Sequence, residues 1–347
     1  MQTEKLPILS VRNLKTYFFQ DEGVVKAVDG VSFDVHEGRT LGVVGESGCG
    51  KSVTSLSILR LVELPGRLVE GEIWLRRAGS AGNSAAVDLA ALDPNGKEIQ
   101  SIQGKEIALI FQEPMTSFSP VHTIENQIIE AIQAHQTQSK AEARSKAVGL
   151  LRQVGVPNPE ERIKSYPFEL SGGLRQRAMI AMALSSDPHM LIADEPTTAL
   201  DVTTQAQILD LLRDIQQQRG MAIMLITHNM GVIAEMADTL AVMYLGRLVE
   251  YGPVETVFLA PKHPYTRLLL ASMPSILSKP RTRLSTIKGS IPHPYSRPKG
   301  CPFHPRCPQF KAGVCDQFEP QLLPLDDGLA VSCFLYQEPS QVEVIRG

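Results

Sequence analysis

The chain has 347 residues, a hydrophobic share of 43% and a formal net charge of −3 from 34 basic and 37 acidic side chains. That composition suits a packed globular protein, and the lack of a positive excess excludes a broad electrostatic grip on nucleic acid. Residues 1–7 hold charges and no apolar run, so no secretory signal is expected. The most apolar stretch, 221–246, is broken by His228, Asn229, Glu235 and Asp238, so no segment is expected to cross a bilayer unaided. Work at a membrane would come through docking onto other chains.

In chain order, residues 8–11, 31–35 and 40–44 have strand composition, and the last, nearly all apolar, suits a buried parallel strand. It feeds directly into Gly45-Glu46-Ser47-Gly48-Cys49-Gly50-Lys51-Ser52, and residues from Val53 to position 62 carry a helical pattern. Strand, glycine-rich loop and helix in that order give the pattern G-x-x-x-x-G-K-[ST] its meaning as a phosphate cradle. In such a loop the glycines let backbone amides wrap phosphates, Lys51 reaches the β and γ oxygens, and Ser52 coordinates Mg²⁺. Ser47, Gly48, Cys49, Gly50 and Val53 complete the nucleotide contacts expected of it. Cys49 stands at a variable position of the loop, as a tolerated small residue or a redox-sensitive one.

Residues 76–104, rich in small, polar, glycine and proline residues, suit a surface hairpin or loop insertion without chemistry. From 119 to about 188 the pattern is mostly helical, with a break at 155–159. Inside it, Leu170-Ser171-Gly172-Gly173-Leu174-Arg175-Gln176-Arg177 opens an apolar-periodic helix with a Ser-Gly-Gly turn. Free backbone N–H groups and the helix dipole make this a second anion site. Two phosphate sites in one small domain make sense if each completes its half of the pocket on another subunit. Residues 190–194 form an apolar strand ending in Asp194 and Glu195; a helix around 205–219 and strands at 222–227 and 239–244 follow.

After Gly252 prolines crowd the chain, which predicts an extended segment poor in helix and a boundary near 255. The expected domains are 1–255 and 256–347. Four of the five cysteines, Cys301, Cys307, Cys315 and Cys333, lie in the second. In a reducing compartment, clustered cysteines suggest metal more than disulfide.

Together, the loop at 45–52, the turn at 171–173 and the carboxylate pair at 194–195 resemble the ABC-type ATPases. The resemblance implies an α/β fold: a RecA-like core, an antiparallel β subdomain, an inserted α-helical subdomain at about 115–188, and here a Pro/Cys-rich C-terminal extension. It implies that Asp194 holds Mg²⁺ through its shell, that Glu195 is the general base for the attacking water, and that Gln112 in Phe111-Gln112-Glu113-Pro114 binds the metal or the water. His228 matches the switch histidine that hydrogen-bonds the γ-phosphate, and Asp201 matches the D-loop residue that communicates across a dimer. Tyr17 is the favoured adenine platform, with Phe18 and Phe19 as alternatives; any of the three could be plain core.

Several stretches are similar, more narrowly, to the ATP-binding subunits of dipeptide, oligopeptide and nickel importers: 45–52, 111–117, 175–184, His263-Pro264-Tyr265-Thr266 and the cysteine-bearing tail. The likeness runs from about Leu9 to about Phe334, with Leu174 in place of a common Gln and Phe118 in place of a common Leu. It implies ATP and Mg²⁺ as ligands and, from relatives' tails, a [4Fe–4S] cluster on the four cysteines. Thiolate softness alone leaves Zn²⁺ open, as well as plain reduced or oxidised cysteines, and His304 is a further candidate ligand. The implied function is ATP hydrolysis that powers peptide import from the cytoplasmic face of the inner membrane. The implied partners are two transmembrane permease subunits, a second homologous ATP-binding subunit in a heterodimer, and, through the complex, an extracytoplasmic substrate-binding protein. Alternatives are a soluble ABC ATPase of translation or repair, an exporter cassette, or an importer of nickel or another small solute.

Overall fold

The computed structural model describes residues 6–77, 86–112, 117–136, 138–198, 200–273, 287–325 and 328–339. Residues 1–5, most of the small-residue loop at 78–83, positions 113–116 beside Gln112, Ala199, Pro274 and Pro280 lie outside them. The chain divides into two compact units. One comprises Met1–Leu9, Val35–Thr40 and Trp74–Ile226; the other comprises Ser10–Asp34, Leu41–Ile73 and Thr227–Gly347.

The first unit is built on three parallel strands, Ile107–Ile110, Met190–Asp194 and Ala222–Ile226, in that spatial order. Register pairs Ile110 with Ala193 and Asp194 with Ile226. Every residue of Met190–Asp194 and Ala222–Ile226 is buried, which explains why their sequences are continuous apolar runs rather than alternating ones.

Helices Ile124–His135, Lys140–Gln153 and Gly172–Ala183 populate the region expected to be helical. Each start has a local cause. Thr123 and Ser171 accept the N–H groups of Asn126 and Leu174, and Ser139 with Glu142 forms a reciprocal cap. The expected break is present: Lys140–Gln153 ends before Gly155, which adopts φ 74°, and Pro159–Arg162 is a separate single turn.

Of the hairpin or loop insertion expected at 76–104, the described part, 86–104, bears out the hairpin and adds a helix. It contains the short strand Ala86–Asp88, paired antiparallel with the end of Gly66–Arg76, and the helix Lys97–Ile102. Ile99 and Ile102 are fully buried, so two apolar contacts spaced by three residues override a polar, turn-rich composition.

In the second unit Gly23–Val35, Leu9–Gln20 and Gly66–Arg76 lie side by side in one sheet. Val31, Phe33 and Val35 are buried at period two, the mark of a sheet with one covered face. A second sheet joins Thr40–Val44 in parallel to Thr239–Tyr244, which pairs antiparallel with Arg247–Pro253. The tail then returns: Ala330–Val331 pairs with Arg247–Pro253, and Leu323–Pro324 pairs with Ala330–Val331.

The expectation of an extension poor in helix is corrected just past residue 253. Val254–Leu259 and Pro264–Ala271 are helices. Pro264 sits in the first turn, where its missing N–H breaks no intrahelical bond, so a proline there starts a helix rather than preventing one.

Candidate functional site

The loop after Thr40–Val44 has the geometry a phosphate cradle needs. Gly48 and Gly50 have φ of 78° and 101°, and a Cβ on Gly50 would lie 2.2 Å from the carbonyl oxygen of Ala27, so no other residue fits there. Gly50 leads into the helix Lys51–Ile58. Lys51 is buried and its ammonium donates to the carbonyl oxygens of Gly45 at 2.8 Å and Glu46 at 3.3 Å. Ser52 and Val53 are half-buried in the first turn of that helix.

Cys49 is buried with its sulfur 3.8 Å from the Lys51 ammonium, and burial raises its thiol pKa despite that cation. A protonated, covered thiol is a poor nucleophile, which favours the packing role for Cys49 over the redox one.

Tyr17 and Gly48 line one cleft of about 910 Å³, together with Lys15, Lys26, Arg247 and Arg297. Phe18 packs against Gly66, where a Cβ would come within 2.6 Å of its ring, and Phe19 lies 4.0 Å beneath the Arg67 guanidinium. Of the three aromatics, Tyr17 is therefore the one that shares a cleft with the phosphate loop.

The Tyr17 hydroxyl donates to Asp29 at 2.6 Å, and Arg247 and Arg297 donate to the same carboxylate at 2.9 and 2.7 Å. Burial alone would raise the Asp29 pKa; Arg247, the Tyr17 hydroxyl and Arg297 outweigh it and bring it to about 2. Asp29 is thus a fixed anion, and the shared proton of Tyr17 is held more tightly than in water, with burial the largest cause and Asp29 the next. His228 is exposed, one residue beyond Thr227, whose N–H donates to Val43.

In the first unit the carboxylate pair ends a buried strand. Asp194 is 6% and Glu195 9% exposed. Glu195 takes φ 48°, a left-handed conformation that costs a non-glycine residue energy and recurs at functional positions. Its N–H donates to Ile226 at 2.8 Å, which fixes the turn. The carboxylate accepts the Gln112 amide at 3.3 Å and the Thr198 hydroxyl at 2.8 Å. Residues 83 positions apart are thus brought together, and Thr198 is an orienting partner that sequence reasoning missed. An oriented, largely desolvated carboxylate beside a carboxamide can polarise a water and hold it in line.

Ser171 caps the 12-residue helix Gly172–Ala183 by accepting from Leu174 at 3.4 Å. Asp201 caps Val202–Arg219, accepting the Thr204 N–H at 3.0 Å and hydroxyl at 2.6 Å. A Cβ on Gly173 would lie 2.8 Å from Thr204 Cγ2. The Ser-Gly-Gly turn and the Asp201 cap therefore meet at Thr204, a contact that a separation of 31 positions hid in the sequence.

The four tail cysteines face one small enclosed cavity, which His263, Phe303 and His304 also line. Cys301, Cys315 and Cys333 are buried and all four are unpaired as disulfides. Burial pushes the Cys301 thiol up to about 12 and Cys333 to about 11, and raises Cys307 as well. Among the described residues no three His, Cys, Asp or Glu side chains surround a single-ion position, so the set as placed does not close around one zinc ion. His263 is fully buried, its Nδ1 accepts the Tyr265 N–H at 3.0 Å, and its Nε2 therefore carries the proton and has no acceptor among the described residues. A buried N–H without such a partner thus belongs to a residue that lines the same cavity as the four thiols.

These features define the class: the chain carries an ATP-binding cassette of the ABC transporter type, and the ABC transporter family profile matches residues 28–198. A second profile, the oligopeptide/dipeptide transporter C-terminal region, matches 249–315. The oligopeptide transport ATP-binding protein AppD of Bacillus subtilis is 48% identical over 95% of this chain and 97% of its own length. The dipeptide transport ATP-binding protein DppD of Escherichia coli is 44% identical over 94% and 96%. Among solved structures, the dimeric cassette MJ0796 superposes with a TM-score of 0.61 at 25% identity, covering 71% of this chain and 98% of that one. The chain belongs to the ATP-binding subunits of the oligopeptide/dipeptide ABC transporter family.

Proposed function

We propose that this chain hydrolyses ATP to drive import of di- or oligopeptides through two permease subunits, at the cytoplasmic face of the membrane. The observation that carries the catalytic part is the Gln112–Glu195–Thr198 cluster at the end of a buried strand. In this reading Glu195 is the general base, Gln112 and Asp194 serve Mg²⁺ and the attacking water, and Lys51 and Ser52 hold the phosphates and the metal. His228 contacts the γ-phosphate, and 171–173 with Asp201 serve an ATP bound to a second, homologous subunit. The protein's contribution is positioning and electrostatic stabilisation of the transferred phosphoryl group. Peptide rather than nickel as cargo is supported by the oligopeptide and dipeptide transport proteins among the relatives. Among the described residues no helix is long and apolar enough to cross a membrane, which fits a peripheral subunit.

Glu195→Gln keeps the shape of the side chain and removes the base. Hydrolysis should fall by at least about a hundredfold while MgATP still binds, and an ATP-dependent dimer should accumulate on gel filtration. Normal turnover by that variant would remove Glu195 from the mechanism.

For the four cysteines we favour a [4Fe–4S] cluster over zinc. A four-iron cluster takes one thiolate at each of its four irons instead of four around one atom, and Cys301, Cys307, Cys315 and Cys333 line one cavity. When bound, the cluster would supply a cross-link among the tail segments. Iron and acid-labile sulfide in anaerobically purified protein, about four of each per chain, is the expected result. One zinc per chain would overturn it.

A further inference from the structure

The C-terminal extension reaches the phosphate loop itself. Arg306, one position before Cys307, has a side chain only 4% exposed and donates both terminal nitrogens to the Glu46 carboxylate, at 2.6 and 3.0 Å. Glu46 is the second residue of the loop. Its N–H donates to the Tyr265 hydroxyl at 2.9 Å, and Tyr265 lies fully buried in the His-Pro-Tyr-Thr segment. Its carbonyl oxygen accepts from the Lys51 ammonium. One residue of the loop is thus held by the extension through its carboxylate and its amide, and touches the phosphate-binding lysine through its carbonyl.

The two holding residues are themselves locked. Tyr265 packs 4.8 Å from Tyr244 and 5.3 Å from Phe303, ring centre to ring centre. Arg306 also donates to the Tyr244 hydroxyl at 3.3 Å, and Phe303 stands two positions from Cys301. A planar guanidinium on a carboxylate gives two parallel bonds and fixes orientation as well as distance, which lysine cannot do. A loop that binds phosphate by backbone N–H groups gains from such fixation, because amides already aimed need no ordering when the ligand arrives.

We propose that Arg306 and Tyr265 are positioning residues for nucleotide binding: the extension clamps Glu46 and thereby sets the phosphate loop and Lys51 in their binding geometry. The inference rests on the assignment of 45–52 as the phosphate loop. It gives the extension a direct part in ATP affinity, beyond holding its own cysteines.

Equilibrium titration of the full-length chain with MgADP tests it. Arg306→Ala should weaken binding about tenfold, which corresponds to roughly 1.4 kcal/mol. Arg306→Lys, with the charge but not the fork, should recover only part. Glu46→Gln should weaken binding as Arg306→Ala does, and the double variant should bind no worse than either single one, since both remove the same contact. In turnover assays on the assembled transporter the loss should fall on KM for ATP with kcat kept within about twofold, a split that loss of folded protein would not give. Iron content and melting temperature of each variant are measured alongside. Should Arg306→Ala fail to fold, Glu46→Gln carries the test alone. Binding by either folded variant within twofold of wild type, or losses that add in the double variant, would overturn the clamp. Lys51→Ala separates the two ideas: unchanged MgADP affinity there would overturn the phosphate-loop assignment and not the clamp alone.

Discussion

Glu195, the proposed general base, stands apart by its backbone as well as by its side chain. A left-handed φ of 48° on a glutamate is held by its N–H to Ile226 and by the Gln112 and Thr198 contacts on its carboxylate. His263 shows a different kind of constraint. Burial, with a smaller push from Arg267, lowers its pKa from 6.5 to about 3. Between those values the unfolded chain takes up a proton that the folded chain refuses, so His263 makes stability fall as pH drops below about 6.5, by up to about 1.4 kcal/mol per pH unit. His263→Gln retains an oxygen able to accept the Tyr265 N–H and cannot titrate. Its melting temperature should therefore decline less than that of wild type between pH 7.5 and 5.5. Parallel declines would show that the histidine is protonated in the folded state after all.

Among the elements, the legible ones are those whose function resides in contiguous backbone. The strand, glycine loop and helix around 45–52 could be read directly because the glycine positions, the lysine and the flanking periods all lie in one contiguous stretch, 40–62. The strand Met190–Asp194 was equally plain, since burial on both faces demands an apolar run. What stayed hidden depends on distant partners: Arg306 on Glu46, Arg297 on Asp29, Thr198 on Glu195, and the helix Pro264–Ala271 behind a proline-rich composition.

The Ser-Gly-Gly turn lies between these cases. Its sequence announced an anion site, but the reason for its second glycine is Thr204. Gly173→Ala would improve helix propensity by up to about 1 kcal/mol, yet the new methyl meets Thr204 Cγ2 at 2.8 Å, and overpacking of that kind costs about 1–3 kcal/mol. Thr204 cannot swing away without losing its hydroxyl bond to Asp201. Gly173→Ala should therefore lower both stability and ATPase rate, while Gly172→Ala, whose Cβ meets Leu200 at an ordinary 3.7 Å among the described residues, should cost little stability. Adding Thr204→Ser removes the clashing carbon, keeps the hydroxyl, and should restore both properties. If it restores neither, the contact is not the reason for glycine.

For the whole molecule, membership in a peptide ABC transporter family implies permease partners, so some of its surface must be made for them. The first unit carries an aromatic pair suited to this: Tyr166 and Phe168 stack with ring centres 5.5 Å apart, and Phe168 is 64% exposed. Exposing a phenyl ring forfeits about 1.5–3 kcal/mol of burial, a loss that a partner surface recovers on docking. The pair stands just before the turn at 171–173, on the same short stretch as Glu169, which accepts the Tyr166 N–H at 2.7 Å and so holds the segment in shape. Phe168→Asp alters no nucleotide contact and fills no core position, so MgATP binding by the isolated chain should be unchanged. Co-purification with the permease subunits should drop at least about tenfold, because a carboxylate would have to be desolvated at the joint. A variant that still co-purifies at wild-type yield would place the permease contact elsewhere on the subunit, whereas one that also loses MgATP binding would show that the ring supports the fold and not the partner.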